Sequence, residues 1–155
     1  MPKTILVVDD DPDICEIVQV NLEGAGYEVI IAADGAAGLQ AAQTRVPDLI
    51  ILDVLMPELD GWRVLEELVK DSRTADRPVI MLTCKGDDQD VLRGLNLGAV
   101  EYITKPFYPE GLVASVRLLL DRYDPAMREA RRQQLIASRQ GTAERVSALS
   151  RGAPT

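Results

Sequence analysis

The sequence predicts an α/β fold in which helices cover both faces of a parallel sheet. Five short runs of β-branched and other apolar residues alternate with segments of helical periodicity. The runs are continuously apolar, which is typical of parallel strands buried on both faces. Right-handed crossovers between consecutive strands place helices on both sides of such a sheet. The predicted strands are Thr4–Val8, Tyr27–Ala32, Leu49–Leu52, Pro78–Leu82 and Glu101–Thr104.

The helices between these strands carry recognisable start and stop residues. Pro12 stands where a first helical turn begins, Asp60 precedes Gly61 as a capping carboxylate, and Asp124-Pro125 ends the last helix. The order of elements predicts a doubly wound (βα)5 sandwich with the flavodoxin-like strand order 2-1-3-4-5. The predicted helices lie near residues 12–24, 35–45, 61–72, 87–98 and 110–123.

The chain divides into a domain and a tail of different charge. Its 155 residues suit one domain with an appendage. Residues 1–123 hold 22 acidic and 11 basic residues, whereas residues 124–155 hold 3 acidic residues and 6 arginines. We therefore predict a domain over 1–123 and an Arg-rich tail, partly helical or disordered, over 124–155. Within the tail, Ala126–Gln140 is predicted as a further helix or an extension of the fifth, and Gly141–Thr155 as a mobile segment.

The tail helix offers one stripe of small and apolar residues. Met127, Ala130, Gln134 and Ala137 fall on one helical face, which is weak as a coiled-coil seam. Two interpretations of this segment stay open: a solvated linker helix, or a helix that docks on a partner or dimerises.

Composition excludes several classes of function. The chain contains no histidine, so Ser-His-Asp and Cys-His catalysis, histidine-ligated zinc and self-phosphorylation on histidine are excluded for it. The acidic domain argues against direct binding of nucleic acid by this chain. No apolar run approaches the roughly 20 residues that span a bilayer. We expect no membrane association and a cytoplasmic location.

Charged and hydroxyl side chains follow four of the predicted strands. Asp9-Asp10-Asp11 follows the first strand, Asp53 the third, Thr83 the fourth and Lys105-Pro106 the fifth. The carboxyl ends of parallel strands lie at one edge of the sheet, where ligands bind. The first and third strands are neighbours in the predicted order, so their carboxylates should converge.

A cluster of carboxylates needs a compensating positive charge. Asp53 ends the apolar run Leu49–Leu52, where a buried carboxylate is costly unless it is paired or bound to metal. A divalent cation with all-oxygen ligands would remove that cost, and this chemistry favours Mg²⁺, with Mn²⁺ in its place. Lys105 would add a second compensating charge. The alternative for Asp9–Asp11 is a solvated turn with a helix cap.

Four motifs together resemble a known family. They are Leu6–Asp10 (LVVDD), Leu52–Gly61 (LDVLMPELDG), Met81–Thr83 (MLT) and Tyr102–Phe107 (YITKPF). In order and spacing they resemble the receiver domain of bacterial two-component response regulators, the CheY-like family. The resemblance covers about residues 3–123.

The resemblance implies a role for each acidic residue. Asp53 would be the phosphoacceptor, which attacks a phosphohistidine to form an aspartyl phosphate. The ligands of Mg²⁺ would be Asp9, Asp10, Asp53 and the backbone carbonyl of Leu55, with Asp10 binding directly and Asp9 partly through water. Asp11 falls one place beyond the pair and is left out of the set.

The resemblance also implies a switch. Thr83 and Lys105 would contact the phosphoryl oxygens, and Lys105 and Pro106 would be joined by a cis peptide. Thr83 would then draw inward and Tyr102 would turn toward the interior. The structural alternative for Tyr102 is a half-buried aromatic residue of an edge strand.

The implied function is a signalling switch rather than an enzyme. Such a receiver takes its phosphoryl group from a sensor histidine kinase or a histidine phosphotransfer protein and catalyses only its own phosphorylation and dephosphorylation. Its fourth helix, fifth strand and fifth helix would control a downstream protein or an output domain missing from this sequence. Arg117 matches a basic position of the family's dimer contacts whereas Gly111 and Ser115 do not, so a homodimer stays open.

Three other functions would require residues that differ from those in this sequence. A haloacid-dehalogenase-like phosphatase has a second aspartate two residues after the first, where this chain has Leu55. A receiver-like binding module without phosphorylation usually lacks part of the acidic cluster, the threonine or the lysine, all of which are present here. A nucleotide-binding flavodoxin-like protein would need a glycine-rich loop after the first strand.

Overall fold

The computed structural model describes the backbone of residues 2–150 and the side chains of residues 2–141. Within that range, five strands form one parallel sheet in the order β2-β1-β3-β4-β5. The predicted strand order is confirmed. The strands are β1 (Thr4–Val8), β2 (Glu28–Ala32), β3 (Leu49–Leu52), β4 (Val79–Thr83) and β5 (Glu101–Thr104).

Six α-helices accompany the sheet in the described residues, and two of them begin at the predicted start residues Pro12 and Asp60. Asp11 caps α1 and Asp60 caps α3 through their side chains, because an acceptor there satisfies an N–H group that has no partner within the helix. The helices are α1 (Pro12–Gly24), α2 (Gly35–Arg45), α3 (Gly61–Lys70), α4 (Asp88–Leu97), α5 (Pro109–Arg117) and α6 (Pro125–Ser150).

Consecutive residues of β1 point into two different apolar cores. Ile5 and Val7 pack with α1 and α5 on one face of the sheet, whereas Leu6 and Val8 pack with α2 and α3 on the other. All four side chains are at most 1% exposed. The central strands β1, β3 and β4 are therefore buried on both faces, which explains their continuous apolar runs, whereas the edge strands β2 and β5 are partly exposed.

The fifth helix differs from the prediction near its end. After Arg117 the chain forms a π-helical turn, Leu118–Arg122, closed by a hydrogen bond from the Tyr123 N–H to the Leu118 carbonyl at 3.0 Å. The consecutive residues Leu119 and Leu120 are both buried in this turn. The predicted single helix to residue 123 is wrong in this respect.

The tail forms a separate helix that is longer than predicted. Asp124 caps α6 by accepting the Met127 N–H at 2.8 Å, and Pro125 stands at its first position. The helix runs to Ser150, into the segment predicted to be mobile, because alanine, glutamate, arginine and leucine in Thr142–Ser150 favour helix. The expectation for residues 151–155 lies outside the described residues.

In the part of the chain that the structure describes, no helix is both long and apolar enough to cross a membrane. The longest helix, α6, carries arginines along its length.

Candidate functional site

Asp9 and Asp53 lie next to each other because two neighbouring strands end at the same level. The Asp9 N–H donates to the Ala32 carbonyl at 3.1 Å, and the Asp53 N–H donates to the Val8 carbonyl at 3.0 Å. These bonds continue the parallel ladder one step past the strands. Both aspartates are therefore held at the carboxyl edge of the sheet, where they are 2% and 5% exposed.

Lys105 joins the two buried carboxylates. Its Nζ donates to Asp9 Oδ2 at 2.8 Å and to Asp53 Oδ2 at 3.1 Å. The Lys105 N–H donates to the Thr83 carbonyl at 2.9 Å, and the peptide between Lys105 and Pro106 is cis. The ammonium group thus reaches across from β5 to charges on β1 and β3.

Burial and pairing compete in this cluster. Burial raises the pKa of Asp9, although the hydrogen bonds from Lys105 and from the Asp11 N–H act in the opposite direction. Burial would lower the pKa of Lys105, but the carboxylates of Asp9 and Asp53 outweigh it and raise that pKa overall. The lysine is therefore held in its charged form, while Asp9 remains short of compensating charge.

A third carboxylate completes the cluster. One oxygen each of Asp9, Asp10 and Asp53 lies within 4.8 Å of the other two, and Asp10 is exposed. Three converging carboxylates carry more negative charge than one lysine neutralises. An all-oxygen donor set of this kind fits a hard divalent cation such as Mg²⁺ or Mn²⁺.

Asp10 opens onto a surface cavity of about 430 Å³. Trp62, Lys85 and residues of the loop after β3 also line this cavity. The cavity leaves space beside the cluster for a small anionic group. It is lined by Asp10, Val54, Leu55, Met56, Pro57, Asp60, Trp62 and Lys85.

Asp11 caps a helix, which is the alternative role given above for Asp9–Asp11. Its Oδ1 accepts the Asp13 N–H at 2.9 Å as the cap of α1, and its own N–H donates to Asp9 Oδ1 at 2.9 Å. Asp11 therefore positions Asp9 and begins a helix, and it stands outside the three-carboxylate cluster.

The other predicted site residues surround the cluster. The Leu55 N–H donates to Asp53 Oδ1 at 3.2 Å. Thr83 is fully buried, and its Oγ1 accepts the Lys85 N–H at 3.3 Å. Tyr102 is half-buried on β5, and its hydroxyl donates to the Lys85 carbonyl. Thr83 and Tyr102 are thus connected through one residue, Lys85.

Gly61 is a site residue for which the sequence predicts only a place at the start of a helix. Its N–H donates to the Val54 carbonyl at 2.9 Å. A Cβ at this position would overlap the Asp53 carbonyl oxygen and lie 2.7 Å from the Val54 Cα. Glycine is therefore needed for the close approach of α3 to the backbone of Asp53. The glycine after a capping aspartate, eight residues past Asp53, is the sequence signal for it.

Comparison with known proteins identifies the family and supports the fold. Residues 5–117 match the family model for the response regulator receiver domain. The chain belongs to this family. As a response regulator receiver domain it is a signalling module rather than a conventional enzyme.

Curated relatives of this receiver domain are transcriptional regulators. It is 46% identical over 136 residues to the DNA-binding dual master transcriptional regulator RpaA of Synechocystis sp., covering 88% of this chain and 56% of RpaA. It is 46% identical over 126 residues to the alkaline phosphatase synthesis transcriptional regulatory protein PhoP of Bacillus subtilis, covering 81% of this chain and 52% of PhoP. The chain spans about half the length of these relatives.

Solved receiver structures superpose on the same part of the chain. The chemotaxis response regulator CheY4 of Vibrio cholerae is 35% identical with a TM-score of 0.72, covering 76% of this chain and 98% of CheY4. A CheY-like receiver domain protein of Methanospirillum hungatei is 34% identical with a TM-score of 0.73, covering 78% of this chain and 95% of that one.

Proposed function

We propose that this receiver domain accepts a phosphoryl group on Asp53 from a phosphohistidine of a sensor kinase or a histidine phosphotransfer protein. The observation that supports this most directly is the Lys105 ammonium bonded to both Asp9 and Asp53 within the acidic cluster. The phosphohistidine must lie outside these 155 residues, because they include no histidine.

The proposed transfer forms one bond and breaks one bond. An Asp53 carboxylate oxygen attacks phosphorus, the P–N bond of the phosphohistidine breaks, and the imidazole leaves with the electron pair and takes up a proton. Lys105, already placed at Asp53 Oδ2, neutralises negative charge on the phosphoryl oxygens. Asp9, Asp10, Asp53 and the Leu55 carbonyl would hold Mg²⁺, which supplies further positive charge for the phosphoryl oxygens.

The contacts of Lys85 support a route from the site to the surface. The Thr83 hydroxyl now accepts the Lys85 N–H, and the Lys85 carbonyl accepts the Tyr102 hydroxyl. A Thr83 hydroxyl that bonds a phosphoryl oxygen instead would release Lys85. Tyr102 would then lose or move its acceptor, and the surface of α4 and β5 around it would rearrange.

In this proposal, α4, β5 and α5 form the surface through which the receiver controls its target. The target is a downstream protein or an output domain beyond this sequence, and this chain itself does not contact nucleic acid. Residues 1–123 form the receiver in this proposal, and residues 124–155 form the tail. The names of the relatives, which are transcriptional regulators, support an output domain as the target.

Phosphorylation with a small donor tests the proposal. The full chain incubated with acetyl phosphate and Mg²⁺ should gain one phosphoryl group by intact mass spectrometry, and Asp53→Asn should gain none. Asp11→Asn is the matched control, because asparagine also caps a helix and Asp11 lies outside the cluster. Equal labelling of Asp53→Asn and wild type would refute the assignment.

A further inference from the structure

The tail helix α6 covers part of the proposed output face. Ile136 packs against Val91 and Leu95 of α4 in an apolar cluster of its own, with Leu92, Tyr102 and Leu135 at its margin. Val91 and Leu95 are 4% and 1% exposed. We call the residues that α6 contacts here the α4–β5 surface: Asp88, Val91, Leu92, Leu95, Glu101 and Tyr102.

Charge complementarity fixes the register of α6 on this surface. Arg131 pairs with Glu101, and Arg139 Nη1 lies 3.0 Å from Asp88 Oδ1. Arg132 donates to the Leu95 carbonyl near the C-terminal end of α4. A basic helix is thus laid along an acidic and apolar surface, with an aliphatic residue between its arginines.

The attachment of α6 is narrow. Ile136 is the only buried side chain among residues 125–141, and the Arg139–Asp88 pair is 46% and 32% exposed at its two side chains. Exposed ion pairs contribute little and are screened by salt. The Arg131–Glu101 pair is less exposed, at 24% and 13%, but α6 is still held by one buried apolar side chain and a few polar contacts, so it should open at a lower cost than a core helix.

We propose that the α4–β5 surface is a receptor for a basic amphipathic helix of a partner protein and that α6 masks it in cis. The partner helix would repeat the pattern of α6, with arginines spaced to reach Asp88 and Glu101 around a central aliphatic residue. Its use for output rests on the proposed function, because Tyr102 belongs both to this surface and to the link through Lys85. Occupancy by α6 requires no phosphorylation.

A peptide displacement experiment tests the masking. A labelled peptide of residues 124–141 is titrated without phosphodonor into the full wild-type chain and into the full-length variant Ile136→Asp, which places a carboxylate on the acidic surface. The peptide should bind the variant at least about tenfold more tightly than the wild type. Equal affinity for both chains, or no binding to the variant, would overturn the proposal.

Two controls separate a docking surface from loss of fold and from general charge attraction. The Ile136→Asp chain should keep the wild-type amide hydrogen exchange in β1 and β3 and exchange faster in α4 and α6. A peptide with Arg139→Glu should bind the variant several-fold more weakly, and adding Asp88→Arg to the variant should restore its binding. Weakening by Arg139→Glu that Asp88→Arg does not reverse would show general charge attraction, and binding insensitive to both changes would show that the Arg139–Asp88 pair is not formed; either result rejects the docking surface. Failure of Asp53 phosphorylation would leave these results unchanged, so the two proposals fail separately.

Discussion

At the scale of single residues, the site is a balance between buried carboxylates and one lysine. Asp9 and Asp53 are almost completely buried, and Lys105 is bonded to both. A buried charge left without its partner is strongly destabilising. The lysine therefore has a structural role in the unphosphorylated protein as well as a proposed role in phosphoryl transfer.

Asp10 is the member of the cluster whose charge can be removed most cleanly. It is exposed, and the contacts of Lys105 go to the other two carboxylates. Asp10→Asn should raise the melting temperature in metal-free buffer by roughly 1–3 °C, because like charges no longer repel. The further rise on adding Mg²⁺ should shrink, since a ligand is lost. Calorimetry with and without Mg²⁺ measures both effects, and an unchanged response to Mg²⁺ would contradict the metal assignment.

The Tyr27 hydroxyl should make the free energy of unfolding depend on pH in the alkaline range. Its hydroxyl donates to Asp121 Oδ2 at 2.8 Å, and burial together with this carboxylate raises its pKa from 10.0 to about 12. The folded state favours the protonated phenol. The stabilisation that Tyr27 gives the folded protein is therefore complete below pH 10 and is lost as the pH rises from about 10 to about 12. The loss amounts to about 2 to 3 kcal/mol.

Urea unfolding at several pH values measures this effect. The free-energy difference between wild type and Tyr27→Phe should be constant below pH 10 and should fall above it. Tyr108→Phe is the control, because Tyr108 is 81% exposed, and it should follow the wild-type profile. A difference that stays constant to pH 12 would show that Tyr27 does not carry the effect.

At the scale of elements, the close approach of α3 to β3 limits which residue can stand at position 61, beside Asp53. Gly61→Ala should cost about 1–3 kcal/mol, because its Cβ would collide with the backbone of Asp53 and Val54. Labelling by acetyl phosphate should slow as Asp53 shifts. Gly24→Ala is the matched control, since a Cβ there meets no atom within 4 Å. Equal stability of the two variants, measured by urea unfolding, would contradict the close approach.

The strands and most helices could be predicted because local signals and the fold agree. Apolar runs, capping aspartates and prolines each marked an element that the structure contains. The sequence did not predict the π-helical turn after Arg117, because a leucine run has the same local preference in either helix. It also missed the contact of Gly61 with Asp53, which depends on how closely α3 approaches the end of β3.

The packed face of the tail helix α6 could not be predicted from the polarity of its residues. The predicted stripe of Met127, Ala130, Gln134 and Ala137 is exposed, and the packed face is instead centred on Ile136, with Arg131, Arg132 and Leu135 beside it. That face contains arginines, which a polarity pattern assigns to solvent. They turn inward because the receiving surface is acidic and because their aliphatic stems cover apolar atoms.

At the scale of the whole molecule, two apolar cores share one sheet. Ile5 and Leu6 are adjacent on β1, are fully buried, and belong to different cores. Ile5→Ala and Leu6→Ala should each cost about 2–5 kcal/mol. Because both cores pack on the same strands, each variant should still unfold in one transition, with coincident far-ultraviolet and near-ultraviolet circular dichroism. Separated transitions would show that one face unfolds first.

Trp62 gives the molecule a further property. It is the single tryptophan of the chain, it lines the cavity beside Asp10, and the Arg93 guanidinium lies 4.5 Å from its ring centroid. Indole emission responds to nearby charge and to the approach of quenching groups. The protein therefore carries an intrinsic fluorophore beside its acidic cluster, and the proposed Mg²⁺ binding and phosphorylation can be tested there by fluorescence without attaching a dye.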